Sequence, residues 1–228
     1  MATQATYLTN IRNKLDETTS GQWSDAELRT WINEAARDIA RRTESLQTYE
    51  EITVTANTQE YTLNDGCLRV HRVEWRPTAS SNVYPLEYRD FNSMDAVWWA
   101  SQTTSKGYPT FYTMWGYPPT LKIVLYPTPS EAGKLKVFFY QTASNLATDG
   151  SAAGSTVQVP VGYEDLIESY VEFIALRKDR DPRWQESRAI YMDSLQEMID
   201  QTRRWTDQGD YIQVGGSHVP GWLWGGEY

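Results

Sequence analysis

Near the N-terminus the apolar positions recur every three or four residues. Tyr7, Leu8, Ile11 and Leu15 predict a helix over residues 5–17, which the segment TTSG interrupts. A second helix opens at SDAE, where Ser24 offers an N-cap and Glu27 the returning half of a capping box. Leu28, Trp31, Ile32, Ala35, Ala36, Ile39 and Ala40 then form one stripe that ends near Glu44.

From Tyr49 the period changes from 3.6 to 2. EEITVTA and QEYTL read as a short strand pair, followed by strands in CLRVHRVEWR and VYPLEYR. A helical interruption is predicted over residues 90–102, DFNSMDAVWWASQ, after which PTFYTMWG resumes the β pattern. The stretch LKIVLYPTPSEAGKLKVFFY, residues 121–140, reads as a hairpin. If Tyr126 pairs with Lys134, Leu125 faces Leu135, Ile123 faces Val137 and Leu121 faces Phe139, which makes one apolar face. Pro127 and Pro129 mark the turn. STVQV reads as one more strand, and LATDGSAAGS before it as a flexible loop.

The helical period returns after Pro160. Leu166, Ile167, Tyr170, Phe173, Ile174 and Leu176 line one face; DPRW makes a corner, with Pro182 suited to the first turn of a last helix. That helix carries Ile190, Leu195, Met198 and Ile199 to about Thr206 and should pair antiparallel with its predecessor. The fold class is α+β: terminal helices in a bundle, an inserted antiparallel β module, and an extended C-terminal tail. The divisions fall at residues 1–46, 47–159 (with one short helix), 160–208 and 209–228. The last segment, GDYIQVGGSHVPGWLWGGEY, holds six glycines and neither Lys nor Arg, so its aromatics have no core of their own and suit a tail that orders against a partner.

Composition narrows the function. The chain has 228 residues and a net charge of −9, which argues against a broad phosphate-binding surface, because affinity for nucleic acid comes mainly from Lys and Arg. Ten Trp and fifteen Tyr suit interfaces that are apolar in body and polar at the tip. One cysteine and two histidines supply neither an internal disulfide nor a Cys/His zinc site, and a reducing compartment is the natural home. Neither a membrane span nor a signal peptide is legible.

Candidates for chemistry are few. His71 sits in an alternating strand beside Arg69 and Arg72, His218 in the glycine-rich tail, and Cys67 after the turn Asn64-Asp65-Gly66; none has a partner at catalytic spacing. Glu164, Asp165 and Glu168 lie close on one helix, but acids in a first turn stabilise the amide-rich end. The basic run RKDRDPR, residues 177–183, carries two aspartates of its own and reads as a helix C-terminus. No nucleotide, metalloprotease or hydrolase motif is present, and no cofactor or metal is implied.

An ordered set of motifs resembles the head-to-tail adaptor, or head-completion connector, proteins of tailed bacteriophages. It comprises WSDAELRTWINEAARDI at residues 23–39, EYTLND at 60–65, GYPTFY at 107–112, LYPTP at 125–129 and VPVGYEDLIESYV at 159–171. The resemblance implies a non-catalytic virion protein, made in the host cytoplasm, that forms a ring of twelve copies beneath the portal. It extends the DNA channel and receives the tail. The implied partners are the portal protein, a tail or nozzle protein, further copies of this chain, and double-stranded DNA passing without specific binding; no membrane is implied. By the same resemblance the tail docks on the portal, with Tyr211, Trp222, Leu223, Trp224 and Tyr228 as its anchors. An acidic channel suits DNA that must slide. Two other readings remain open. One is a carbohydrate-binding or baseplate β module using Trp98, Trp99 and Trp115; the other is a muramidase-like hydrolase using Glu164 or Glu168.

Overall fold

The computed structural model describes residues 2–17, 21–91 and 106–210, with side chains described as far as residue 203. Within them, four helices and a mostly antiparallel sheet make a mixed α+β protein. Helix α1 spans Gln4–Lys14, α2 Asp25–Thr43, α3 Asp165–Lys178 and α4 Trp184–Asp210. The strands are β1 (Gln47–Val54), β2 (Glu60–Thr62), β3 (Cys67–Pro77), β4 (Tyr84–Tyr88), β5 (Lys106–Gly107), β6 (Phe111–Trp115), β7 (Lys122–Tyr126), β8 (Thr128–Pro129) and β9 (Gly133–Gln141). The short helix expected over residues 90–102 falls almost wholly outside the described residues, and so do Trp98 and Trp99.

Helices from both ends of the sequence share one core. The α2 stripe of Leu28, Ile32, Ala35, Ala36 and Ile39 packs with Tyr7 and Ile11 of α1, Leu166, Ile167 and Val171 of α3, and Tyr191, Leu195 and Met198 of α4. Ser24 caps α2 as its sequence predicts, its side chain accepting from the Glu27 N–H. The return half of the capping box is replaced, because the Glu27 carboxylate takes the ammonium of Lys178 instead. On α4 the inward face is Ser187, Tyr191, Leu195 and Met198, so Ile190 lies outside it, 55% exposed, contrary to its expected place in the core. The period explains this: Ile190 precedes Tyr191 by about 100° around the helix.

Residues 143–159 complete the helical core without forming the expected strand. STVQV contributes only an isolated bridge, Thr3 to Thr156, while Val157 and Val159 are buried among the helices. The loop before it is tied down rather than free. The Asn33 side chain donates to the Leu146 carbonyl at 2.7 Å and accepts from its N–H at 3.2 Å. Gln4 and Ala5, at the start of α1, donate their amides to the carbonyls of Ser155 and Ala153. First-turn amides that the helix cannot satisfy find their acceptors there.

The sheet order is β1-β9-β3-β4-β6-β7-β2. The two outer strands, β1 and β2, are separated only by residues 55–59, which with their flanks reach at most about 20 Å. Six inter-strand spacings of a flat sheet would come to roughly 29 Å, so the sheet must curl towards a barrel. Tyr61 fastens the seam, its hydroxyl accepting from the Thr55 N–H at 3.2 Å and donating to the Thr58 carbonyl at 2.9 Å. One core results, drawing Val73, Trp75, Leu135 and Val137 from one wing and Leu86, Tyr112, Ile123 and Leu125 from the other.

Three strand expectations are thereby corrected. β1 and β2 do not pair with each other; β1 pairs with β9, and β2 with β7. The hairpin over residues 121–140 does not form, since β7 pairs with β6 and β2, and β9 with β1 and β3. The connection between them crosses the end of the barrel: β8 pairs with β5, the Pro129 carbonyl accepts from Asn57, and Ser130 donates to Gly107. The module is also not wholly antiparallel, because β4–β6 and β5–β8 run parallel.

Candidate functional site

Where the helical layer meets the barrel, an open cleft of about 320 Å3 is lined by Arg41, Arg42, Thr43, Glu44, Arg69, Tyr140, Ile199, Thr202 and Arg203. Its first wall is the C-terminal turn of α2, where Arg41 and Arg42 complement the carbonyl end of the helix. Glu44 follows in the left-handed region (φ 48°), with its N–H still bonded to the Ala40 carbonyl. Its second wall is β3. Register shifts against β9 occur between Cys67 and Arg69 and between Val70 and Arg72. The inward positions of β3 are therefore 67, 70, 73, 75 and 77, with an extra residue at each bulge. That leaves Leu68, Arg69, His71 and Arg72 all exposed. Arg69 grips both carboxylate oxygens of Glu44, at 3.0 Å from Nε on one side, and stands 4.9 Å from the centre of the Tyr140 ring.

Asp38 organises the other end of the cleft. It accepts from Arg42 at 2.9 and 3.0 Å, from Arg41 at 2.9 Å and from the Tyr191 hydroxyl at 2.9 Å. Burial pushes its carboxyl pKa up, but the hydrogen bonds from Arg42, Tyr191 and Arg41 outweigh that and hold it below the usual carboxylate range. Tyr191 is pushed well above an ordinary phenol, first by burial and then by Asp38. Three guanidiniums, those of Arg41, Arg42 and Arg69, thus meet two carboxylates, Asp38 and Glu44. Chemically the cleft offers planar donors for anions, and its lining holds no nucleophile paired with a base.

The residues singled out from sequence are scattered. Cys67 is buried in the barrel, its thiol pushed up to about 11 by burial and by Glu50. His71 is exposed on the barrel wall, 6.0 Å from the Tyr140 ring. Glu168 accepts from Asn10 at 2.8 Å and pairs with Lys14 at 3.2 Å, so it joins α3 to α1, while Glu164 accepts from the Gly162 N–H at 2.7 Å. In the basic corner Arg183 pairs with Asp181 at 2.7 Å, and Lys178 lies 5.1 Å from the Trp23 ring. Trp115 has Lys122 over its ring at 5.2 Å. Among the described residues no group of His, Cys, Asp and Glu is placed to hold a metal ion, and no helix is long and apolar enough to cross a membrane. Tyr211, Trp222, Leu223, Trp224, Tyr228 and His218 lie outside the described residues.

A family model described as SU10 adaptor protein matches residues 2–218, nearly the whole chain, helices and barrel alike. The chain belongs to the SU10 adaptor protein family. This agrees with the phage head-to-tail adaptor resemblance carried by its ordered motifs. No curated protein matches it. Membership of an adaptor family implies a structural role. The arginine cleft was not legible as a site beforehand: its arginines are at positions 41, 42, 69 and 203, and only the bulged register of β3 brings the third to the first two.

Proposed function

We propose that this chain assembles as a homo-oligomeric ring, of twelve copies by family resemblance, beneath the portal of the filled phage head. There it extends the DNA channel and receives the tail or nozzle protein. The family match across residues 2–218 carries this reading. In it, residues 1–46 and 160–208 form the bundle that meets neighbours and portal, and the strands within residues 47–159 form a β module directed outward or toward tail components, with 143–159 packed on the helices. The segment from 209 onward docks on the portal through Tyr211, Trp222, Leu223, Trp224 and Tyr228. The net charge of −9 supports a channel that repels phosphate at close range and lets DNA slide.

Electron microscopy of portal-bearing heads incubated with the purified chain tests it. The expected result is an added ring below the portal, lost or weakened when residues 209–228 are removed while helical content is retained. A chain that stays separate from such heads under packaging conditions overturns the reading. Loss of helical content in the truncated protein would instead show that the tail packs on its own domain.

A further inference from the structure

The charge of this molecule is partitioned. Acids outnumber bases by 30 to 21 over the chain, yet in one cleft Arg41, Arg42 and Arg69 meet only two carboxylates, Asp38 and Glu44. The outer face of α4 shows the opposite arrangement. Glu186, Ile190, Asp193, Glu197 and Asp200 recur at intervals of three and four, all exposed, along a ridge of about 21 Å. Glu186, Asp193 and Glu197 make no ion pair with any described residue, and Ile190 stands 55% exposed between them. This ridge is turned away from the buried face of Ser187, Tyr191, Leu195 and Met198, whereas Ile199 and Arg203 turn toward the cleft. One protomer therefore displays both halves of a contact on different sides.

We infer that the acidic ridge of α4 on one copy docks into the arginine cleft of the next, with Ile190 as its apolar contact. This rests on the ring reading above and names the surfaces that join neighbours. Two different surfaces of the same chain make a heterologous contact, the kind that closes into a ring when its rotation permits. Arg41 and Arg69, with side chains 67% and 60% exposed, are open to an incoming carboxylate. Their partners Asp38 and Glu44 hold them in place, and Asp38 is shared with Arg42, so one carboxylate serves two guanidiniums. A second copy is favoured over nucleic acid as the occupant because a molecule of charge −9 repels a polyanion but carries the matching acids itself.

A pair of charge-reversed full-length proteins tests this, one with Arg41→Glu and Arg69→Glu, the other with Asp193→Arg and Glu197→Arg. Association is read by native mass spectrometry, in solution and on portal-bearing heads. Each protein alone should associate at least tenfold more weakly than the unaltered chain, and an equimolar mixture should recover it. The mixture pairs an intact ridge with an intact cleft, then a basic ridge with an acidic cleft. Recovery also excludes misfolding as the cause of the loss. Variants that assemble as well as the unaltered chain, or a mixture that fails to recover, overturn the inference and leave the ring reading standing. An unaltered chain that never associates, with or without heads, overturns both. Loss of duplex DNA binding by the cleft variant, with assembly unchanged, would assign the cleft to phosphate and overturn the inference as well.

Discussion

The Tyr191 hydroxyl donates a 2.9 Å hydrogen bond to Asp38, joining α4 to α2 across 153 residues of sequence. The same carboxylate receives Arg41 and Arg42, so one side chain fixes the last helix against the second and sets the edge of the arginine cleft.

Tyr191→Phe keeps the ring packed near Tyr170 and Phe173 and removes only that donor. The loss expected for a hydrogen bond to a charged group is about 1.5–3 kcal/mol, read by urea unfolding. Because Asp38 is held below its ordinary pKa, its contribution is present above the unfolded value and is lost as pH falls through the folded one. Stability should therefore decline below about pH 4, and Asp38→Asn should flatten that part of the profile.

Arg12 is 7% exposed and bridges the turn between α1 and α2. It donates to Glu17 at 3.1 Å, to the Trp23 carbonyl at 3.0 Å and to Asp25 at 2.5 Å. Glu17 also accepts from the backbone of Gly21 and Trp23. Arg12→Met should cost about 1–3 kcal/mol by leaving the Trp23 carbonyl and the half-buried Glu17 carboxylate without their donor. Arg12→Lys should restore little, since an ammonium cannot reproduce the fork. Denaturant titration of the three proteins separates these outcomes.

Gly133 begins β9 and is paired with both Val54 and Pro77. A Cβ placed there would run into the Trp75 ring and stand 2.5 Å from the Arg76 carbonyl. Trp75 is fully buried, and the backbone cannot yield without opening the barrel. Gly133→Ala should destabilise by about 3 kcal/mol or more. Gly154→Ala, where a Cβ would meet nothing within 4 Å, serves as the control. Melting curves of the two proteins provide the comparison.

Cys67 should react slowly. Its burial and a thiol pushed up to about 11 leave little thiolate at pH 8. Labelling by a disulfide reagent is expected to be on the order of a hundredfold slower in the folded than in the urea-unfolded chain. Equal rates would mean that the barrel opens readily around β3.

The helices were legible because each reports itself locally. The α2 stripe and its Ser24 cap fall within a few turns of chain, and the structure keeps both. Ile190 was misplaced because isoleucine and tyrosine are adjacent on α4 and apolarity alone favours the former, whereas packing near Tyr170 and the hydrogen bond to Asp38 select the latter. The arginine cleft had no local signal, since it depends on two bulges that shift the phase of β3.

The stretch from Leu121 to Tyr140 divides what local chemistry decides from what it leaves open. Its alternation assigned Leu121, Ile123, Leu125, Leu135, Val137 and Phe139 to one apolar face, and all six are buried in the barrel core. Side-chain direction follows from a period of two and needs no knowledge of neighbours. The choice of hydrogen-bonding partner is different, because any strand of suitable length can satisfy the backbone. Here that choice depended on residues 55–59 drawing the sheet's edges together and on β8 crossing the barrel's end, which carried β9 away from β7 to lie between β1 and β3.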